Sequence, residues 1–423
     1  MWLRLAALAV FAVVPCAFAQ DRSPAPLSLD DALMRVSDTH PTLRLLAAER
    51  PALEARARAA ALKPPLTLGV DLENALGTGQ TRAFDAAELT VSLSGVLERG
   101  GKLEARRALA QANLDALAPR RETARLDLLA EVARRYQAIV AAQREEAIAR
   151  LDIDQRQRAV QAARARLRAG ASPESVLLTA QAQLAQAELD RDRARQADRA
   201  ARLALAVLWG KREADFAAVS GRLDRLPALE SFDALAQLLE RTPELAEVAG
   251  QARVQEAQLR LARSEGQADL QWQLGVRRLQ DTDDTALVAG LSLPLGSARR
   301  AAPGIRAAQA DLAQNALQRD AVLLQLHATL AEAHGRYLTA RLEVQRLDDE
   351  VLPRLQQAER AAEQAWRAGA TSYLEWAQLQ GQRVTALRRQ LDAAVQAQTA
   401  LIELQRLTGQ PLVAARAPQE PTP

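Results

Sequence analysis

The chain has 423 residues, of which only 3% are aromatic, a composition that suits long helices with thin apolar seams better than a bulky globular core. Its 55 Lys and Arg are interspersed with 52 Asp and Glu, so the small basic excess does not make the one-signed patch that nucleic-acid binding needs. The single cysteine, Cys16, excludes a disulfide framework or a thiolate metal site in the rest of the chain, and no later stretch is apolar for long enough to predict a transmembrane helix.

Residues 1–19 read as a secretory signal, with Arg4 at a positive start, an apolar run from Leu5 to Val14, and Ala17-Phe18-Ala19 as a small-x-small cleavage site before Gln20. The run is too short to cross about 30 Å of hydrocarbon as a helix. Lipidation at Cys16 is the competing reading, and Pro15 weighs against it because the residue before a lipidated cysteine is normally small and flexible.

Residues 20–210 form a first structural repeat. A helix is predicted from Pro41 to Leu62, with proline in its opening turn where a missing donor costs little. A β-hairpin follows at about 66–97. In Leu66 to Asn74, the apolar Leu66, Leu68, Val70 and Leu72 alternate with Thr67, Gly69, Asp71 and Glu73; Leu89 to Leu97 alternates in the same way after a polar, Gly-rich loop. Segments of this kind suit a half-buried soluble hairpin, and nine or so residues is also the span of a membrane strand. An α-hairpin occupies about 102–208. Its first helix, Lys102 to Arg168, would run roughly 100 Å at about 1.5 Å per residue, with Pro119 as a kink point. Leu126, Leu129, Val132, Tyr136, Ile139 and Gln143 mark a narrow packing seam. The turn Arg168 to Ser172 reverses the chain, and a helix returns from Pro173 to Leu208.

Residues 211–229 link this unit to a second repeat at 230–410. There the expected elements are a helix from Pro243 to Arg263, a β-hairpin at about 270–295 turning at Asp281 to Asp284, and an α-hairpin at about 304–408. This second α-hairpin has a kink point at Pro353 and a turn at Arg367 to Thr371. Residues 411–423, rich in proline and without pattern, read as a disordered tail.

The duplication itself rests on matches that keep their order at a spacing of about 200 residues. Asp31-Ala32-Leu33 with Pro41 returns as Asp233-Ala234-Leu235 with Pro243. Ala110-Gln111-Ala112 returns as Ala308-Gln309-Ala310, and Arg135-Tyr136 as Arg336-Tyr337. Arg168-Ala169-Gly170-Ala171 returns as Arg367-Ala368-Gly369-Ala370. Four strands cannot close a barrel, and hydrocarbon does not tolerate unpaired strand edges, so several copies would have to share one. A signal, membrane-length strands and no membrane helix point to a Gram-negative outer membrane.

This plan resembles the TolC family of outer-membrane efflux factors over essentially the whole mature chain. Asp71-Leu72-Glu73-Asn74, Glu88-Leu89-Thr90 and Leu97-Glu98-Arg99-Gly100-Gly101-Lys102 are similar to its CzcC-like branch, which is associated with heavy-metal cation efflux. The resemblance implies a mainly α fold with a small membrane β part: a homotrimer with a 12-stranded β-barrel in outer-membrane lipid and a periplasmic α-helical barrel. It implies as partners a periplasmic adaptor and an inner-membrane resistance-nodulation-division pump, and no nucleic acid. By the same resemblance, Arg168, Ala169, Gly170, Arg367, Ala368 and Gly369 are adaptor-docking tips. Glu375 and Gln378 take the positions of the entrance carboxylates, one Glu per protomer giving a ring of three negative charges. The first-repeat positions are Val176 and Thr179.

No catalytic or cofactor site is expected. His40, His327 and His334 are the only histidines; the last two are seven apart, but no carboxylate completes a metal cluster with them. The rival readings are a periplasmic adaptor, which would carry one α-hairpin between β-rich halves, and a secreted coiled-coil scaffold.

Overall fold

The computed structural model describes residues 26–411. The expected signal with Cys16, and the tail beyond Pro411, lie outside the described residues. In the first half, α1 (Leu29–Thr39) and α2 (Pro41–Ala60) lead into β1 (Thr67–Glu73) and β2 (Glu88–Leu97), followed by α3 (Lys102–Asp115), α4 (Leu117–Arg168) and α5 (Glu174–Val207). The second half runs α6 (Phe232–Leu238), α7 (Pro243–Glu265), β3 (Leu270–Leu279), β4 (Asp284–Ser292), α8 (Ser297–Arg346), α9 (Leu352–Arg367) and α10 (Tyr373–Thr408).

Helices α1 and α6 are additions to the sequence reading, and each starts on a serine cap. Ser28 Oγ accepts from Asp31 N at 3.1 Å, and Ser231 Oγ from Ala234 N at 3.3 Å. The single helix expected over 102–168 is interrupted at Ala116. Pro119 has no N–H to give the Asp115 carbonyl four residues back, and its ring crowds that oxygen, so α3 stops there. Pro353 acts differently. A five-residue π-helical stretch, Leu347–Val351, widens the turn ahead of it and seats the proline at the start of α9. Helix α8 begins earlier than the expected Gly304, because Gly296, at φ 82°, caps it in the left-handed conformation.

The four strands form one antiparallel sheet in the order β1-β2-β3-β4. Strand β4 runs from Asp284 to Ser292, so Leu293 and Leu295 of the expected hairpin fall outside it. On the polar face, Gly69, Ser92 and Gly275 lie in register. A Cβ on Gly275 would fall 2.8 Å from the Val91 carbonyl oxygen, so glycine is what lets β3 close on β2 there.

Beneath the sheet, α2, α3, α7 and α8 pack side by side in the same lateral order as the strands they adjoin. Farther along, α4 packs against α5, and α10 sits between α4 and the α8–α9 pair. Two cores fill this helical body. One is built around Tyr136, with Val132, Ile139, Leu205 and the linker residues Phe216 and Val219; the other is built around Tyr337, with Leu330, Leu235 and Leu404. The repeat-related tyrosines both use their hydroxyls to hold linker carbonyls. Tyr136 donates to Ser220 O and, at 2.8 Å, to Leu27 O; Tyr337 donates to Pro227 O at 2.5 Å. Burial pushes the Tyr337 phenol up to about 12.

Candidate functional site

The sheet is inside out by the standard of a soluble protein. Register places Leu68, Val70 and Leu72 beside Leu89, Val91 and Leu93, then Trp272, Leu274 and Val276, then Leu287 and Leu291, so one face is apolar across all four strands. That face is open: Leu68 is 70% exposed, Val70 63% and Leu287 78%, whereas Thr90 and Ser92 on the polar face are 2% and 4% exposed. In water such a patch would have to be covered; against hydrocarbon it is the expected outer surface of a barrel wall. Arg278, at the far end of the apolar face, turns its guanidinium back to the Asp283 carbonyl at 2.6 Å.

The polar face carries a charged cluster at its hairpin end. Glu73 and Glu88 are directly opposed across β1 and β2, and Arg277 of β3 binds both, at 2.9 Å and 2.6 Å. Its Nε donates to Thr90 Oγ1 at 2.9 Å, and Asn74 Nδ2 donates to Glu88 Oε1 at 2.9 Å. At the other end of the strands, the Leu97 to Lys102 segment forms the elbow into the helices. Lys102 Nζ binds Asp269 at 2.7 Å, the Arg99 amide donates to the same carboxylate at 3.0 Å, and Glu98 pairs with Arg106. Gly100, at φ 74°, passes so close to Gln267 that a Cβ would meet it at 2.5 Å.

The two turns at the opposite pole of the helical body share one geometry. Gly170 N donates to Leu167 O at 3.0 Å and Ala171 N to Arg166 O at 2.9 Å; Gly369 N donates to Trp366 O at 3.0 Å and Ala370 N to Ala365 O at 2.8 Å. Both are Schellman motifs, with glycine at φ 68° and 77°. Arg168, Ala169, Gly170, Arg367, Ala368 and Gly369 are all exposed, and among the described residues nothing lies within 4 Å of where either glycine's Cβ would be.

Glu375 and Gln378 lie exposed on the first turns of α10. Glu375 N donates to Ser372 Oγ at 3.2 Å, and Thr371 Oγ1 donates to its carboxylate, so this residue also caps the helix. Of the first-repeat positions, Val176 packs against Val160 and Ala163, while Thr179 bonds its own helix.

The histidines sit apart from one another in function. His40 caps α2 by accepting from Thr42 N at 3.2 Å, and burial, with Arg135 nearby, lowers its pKa. His334 packs edge-on against Phe232. Among the described residues, no group of His, Cys, Asp or Glu is arranged to hold a metal ion, and no helix is long and apolar enough to cross a membrane.

Two features near the tips escaped sequence reading because neither has a local pattern. Trp366 stacks on Trp376 at 4.8 Å with Arg166 over its ring, which pins the second tip to the first hairpin. Behind them lies a buried polar layer: Arg156 binds Asp152 at 3.0 Å, Gln155 binds Glu359 at 2.9 Å, and Arg383 binds Glu359 at 2.9 Å.

The model of the family described as outer membrane efflux protein matches residues 34–211, which includes both strands of the first hairpin and the first tip. Over that stretch the chain is similar to the outer membrane efflux protein family. It is 27% identical to the cobalt-zinc-cadmium resistance protein CzcC of Cupriavidus metallidurans over 393 residues, 91% of this chain and 90% of that one. Its fold is that of the outer membrane protein VceC of Vibrio cholerae (TM-score 0.75, 16% identity, 91% of this chain and 97% of that one). It is also that of the MtrE outer membrane channel of Neisseria gonorrhoeae (TM-score 0.74, 16% identity, 91% and 89%). The partial family match and the shared fold are those of outer-membrane efflux proteins, and the single-hairpin adaptor reading is not favoured.

Proposed function

We propose that the protein is the outer-membrane conduit of a tripartite exporter that discharges divalent heavy-metal cations. The observation that carries the conduit is the sheet: an open apolar face backed by a hydrogen-bonded polar face, on four strands whose outer edges, β1 and β4, have no partner among the described residues. Shared among three copies, the edges pair, lipid meets the apolar face and water the polar one. The helices adjoining each strand continue the same wall toward the periplasm.

The cargo rests on likeness to the resistance protein of Cupriavidus metallidurans along nine-tenths of both chains. Passage would not require ligation by the wall. Selection of the metal belongs to the inner-membrane pump, and the tips at Gly170 and Gly369 present rigid, exposed backbone turns suited to docking an adaptor. Glu375, one per protomer, supplies negative charge near the periplasmic end.

Deleting the gene and measuring growth on zinc, cobalt and cadmium salts beside a panel of amphiphilic drugs tests the cargo. Increased metal sensitivity is expected; unchanged metal tolerance with altered drug tolerance would reassign the exporter.

A further inference from the structure

The charged cluster on the polar face of the sheet has no part in membrane insertion or adaptor docking. Glu73 and Glu88 face each other directly across two strands, an arrangement that like charges oppose. A single guanidinium, Arg277 from the other repeat, resolves it by binding one carboxylate with each terminal nitrogen. Its third contact, to the buried Thr90 hydroxyl, fixes the plane of the fork.

Around it the balance of charge stays negative. Asp71 occupies the same face, in register with Thr90 and hence with Arg277, and Asp284 lies in the row of Glu73 and Glu88. Four carboxylates thus share the hairpin end of this face with one guanidinium. In a barrel of three copies, the pattern repeats around the pore just inside the loops.

We infer that Arg277 is a specificity-determining residue of the outer mouth: it neutralises part of a carboxylate girdle and so sets how strongly the exit prefers cations. The inference rests on the channel reading, because only in a shared barrel does this face line water. A ring of excess negative charge lowers the energy of a passing cation and raises that of an anion, and the size of the effect depends on how many carboxylates stay uncompensated. Removing Arg277 frees two; removing Glu73 subtracts one.

The test is the reversal potential of purified full-length protein in planar bilayers under a potassium chloride gradient. Wild type should prefer K⁺ over Cl⁻. R277Q should raise the permeability ratio and E73Q should lower it, each roughly twofold at moderate salt and less as salt screens the girdle. R277K, which keeps the charge without the fork, should stay close to wild type. Conducting pores with one reversal potential in all four proteins would overturn the role of Arg277, whereas absence of conductance in wild type would remove the channel reading itself. If R277Q fails to assemble, E73Q decides alone, since its carboxylate is half exposed: a lower ratio supports the inference and an unchanged one overturns it.

Discussion

Gly170 and Gly369 hold left-handed backbone with open space around them, so a side chain there meets no steric clash and the cost is conformational. Valine at either tip should destabilise its hairpin locally by about 1–2 kcal/mol. Trimer recovery should be normal and efflux reduced, which cell survival and crosslinking to the adaptor would check; loss of the trimer would instead assign these glycines to folding. Tyr337 offers a pH signature. The unfolded phenol loses its proton near its ordinary value of 10, while the folded one keeps it to about 12. Between those values the unfolded state binds fewer protons, so stability falls as pH rises through that window. Y337F should flatten that decline in thermal midpoint against pH, while lowering the midpoint at neutral pH through loss of the bond to Pro227 O.

At the scale of elements, the two α-hairpins are joined near the tips by groups that are costly to leave unpaired. Glu359 is buried and takes hydrogen bonds from Gln155 and Arg383. R383A should therefore destabilise the helical body by about 3 kcal/mol, seen as a lowered denaturation midpoint. The double change E359Q with R383Q should recover much of it, because no unpaired charge is then buried. Pro119 and Pro353 show how much of an element a single residue reveals. Both were legible as points where a helix cannot continue normally, since the missing donor is written in the sequence.

For the whole molecule, the open apolar face is the decisive surface. Val70 sits midway along β1, and V70R should cost about 2–4 kcal/mol at the centre of the hydrocarbon. Protein should disappear from the outer-membrane fraction and accumulate as unassembled chains, while the charge-conserving R50K on the exposed surface of α2 should leave assembly intact. A second unpartnered surface runs along α8, where Leu317, Leu324, Leu338 and Leu342 are exposed. The first three lie at multiples of seven, the spacing of a helix–helix seam. Replacing Leu317 and Leu324 by Gln should weaken the trimer on gels that preserve assemblies, without changing the secondary structure of the chain.

The amino-acid sequence by itself determined the duplication, the alternation of the strands, the length of the hairpins and the glycines at their tips. These follow from local rules of period, capping and backbone freedom, and each is complete within a short window. Tertiary structure alone decided that the strands run β1-β2-β3-β4, that Arg277 of one repeat neutralises Glu73 and Glu88 of the other, and that Glu359 and Trp366 lie between the hairpins. The pairings between repeats join residues about two hundred positions apart, and the free energy that selects them, desolvation of charge and apolar surface, exists only once the chain has brought them together.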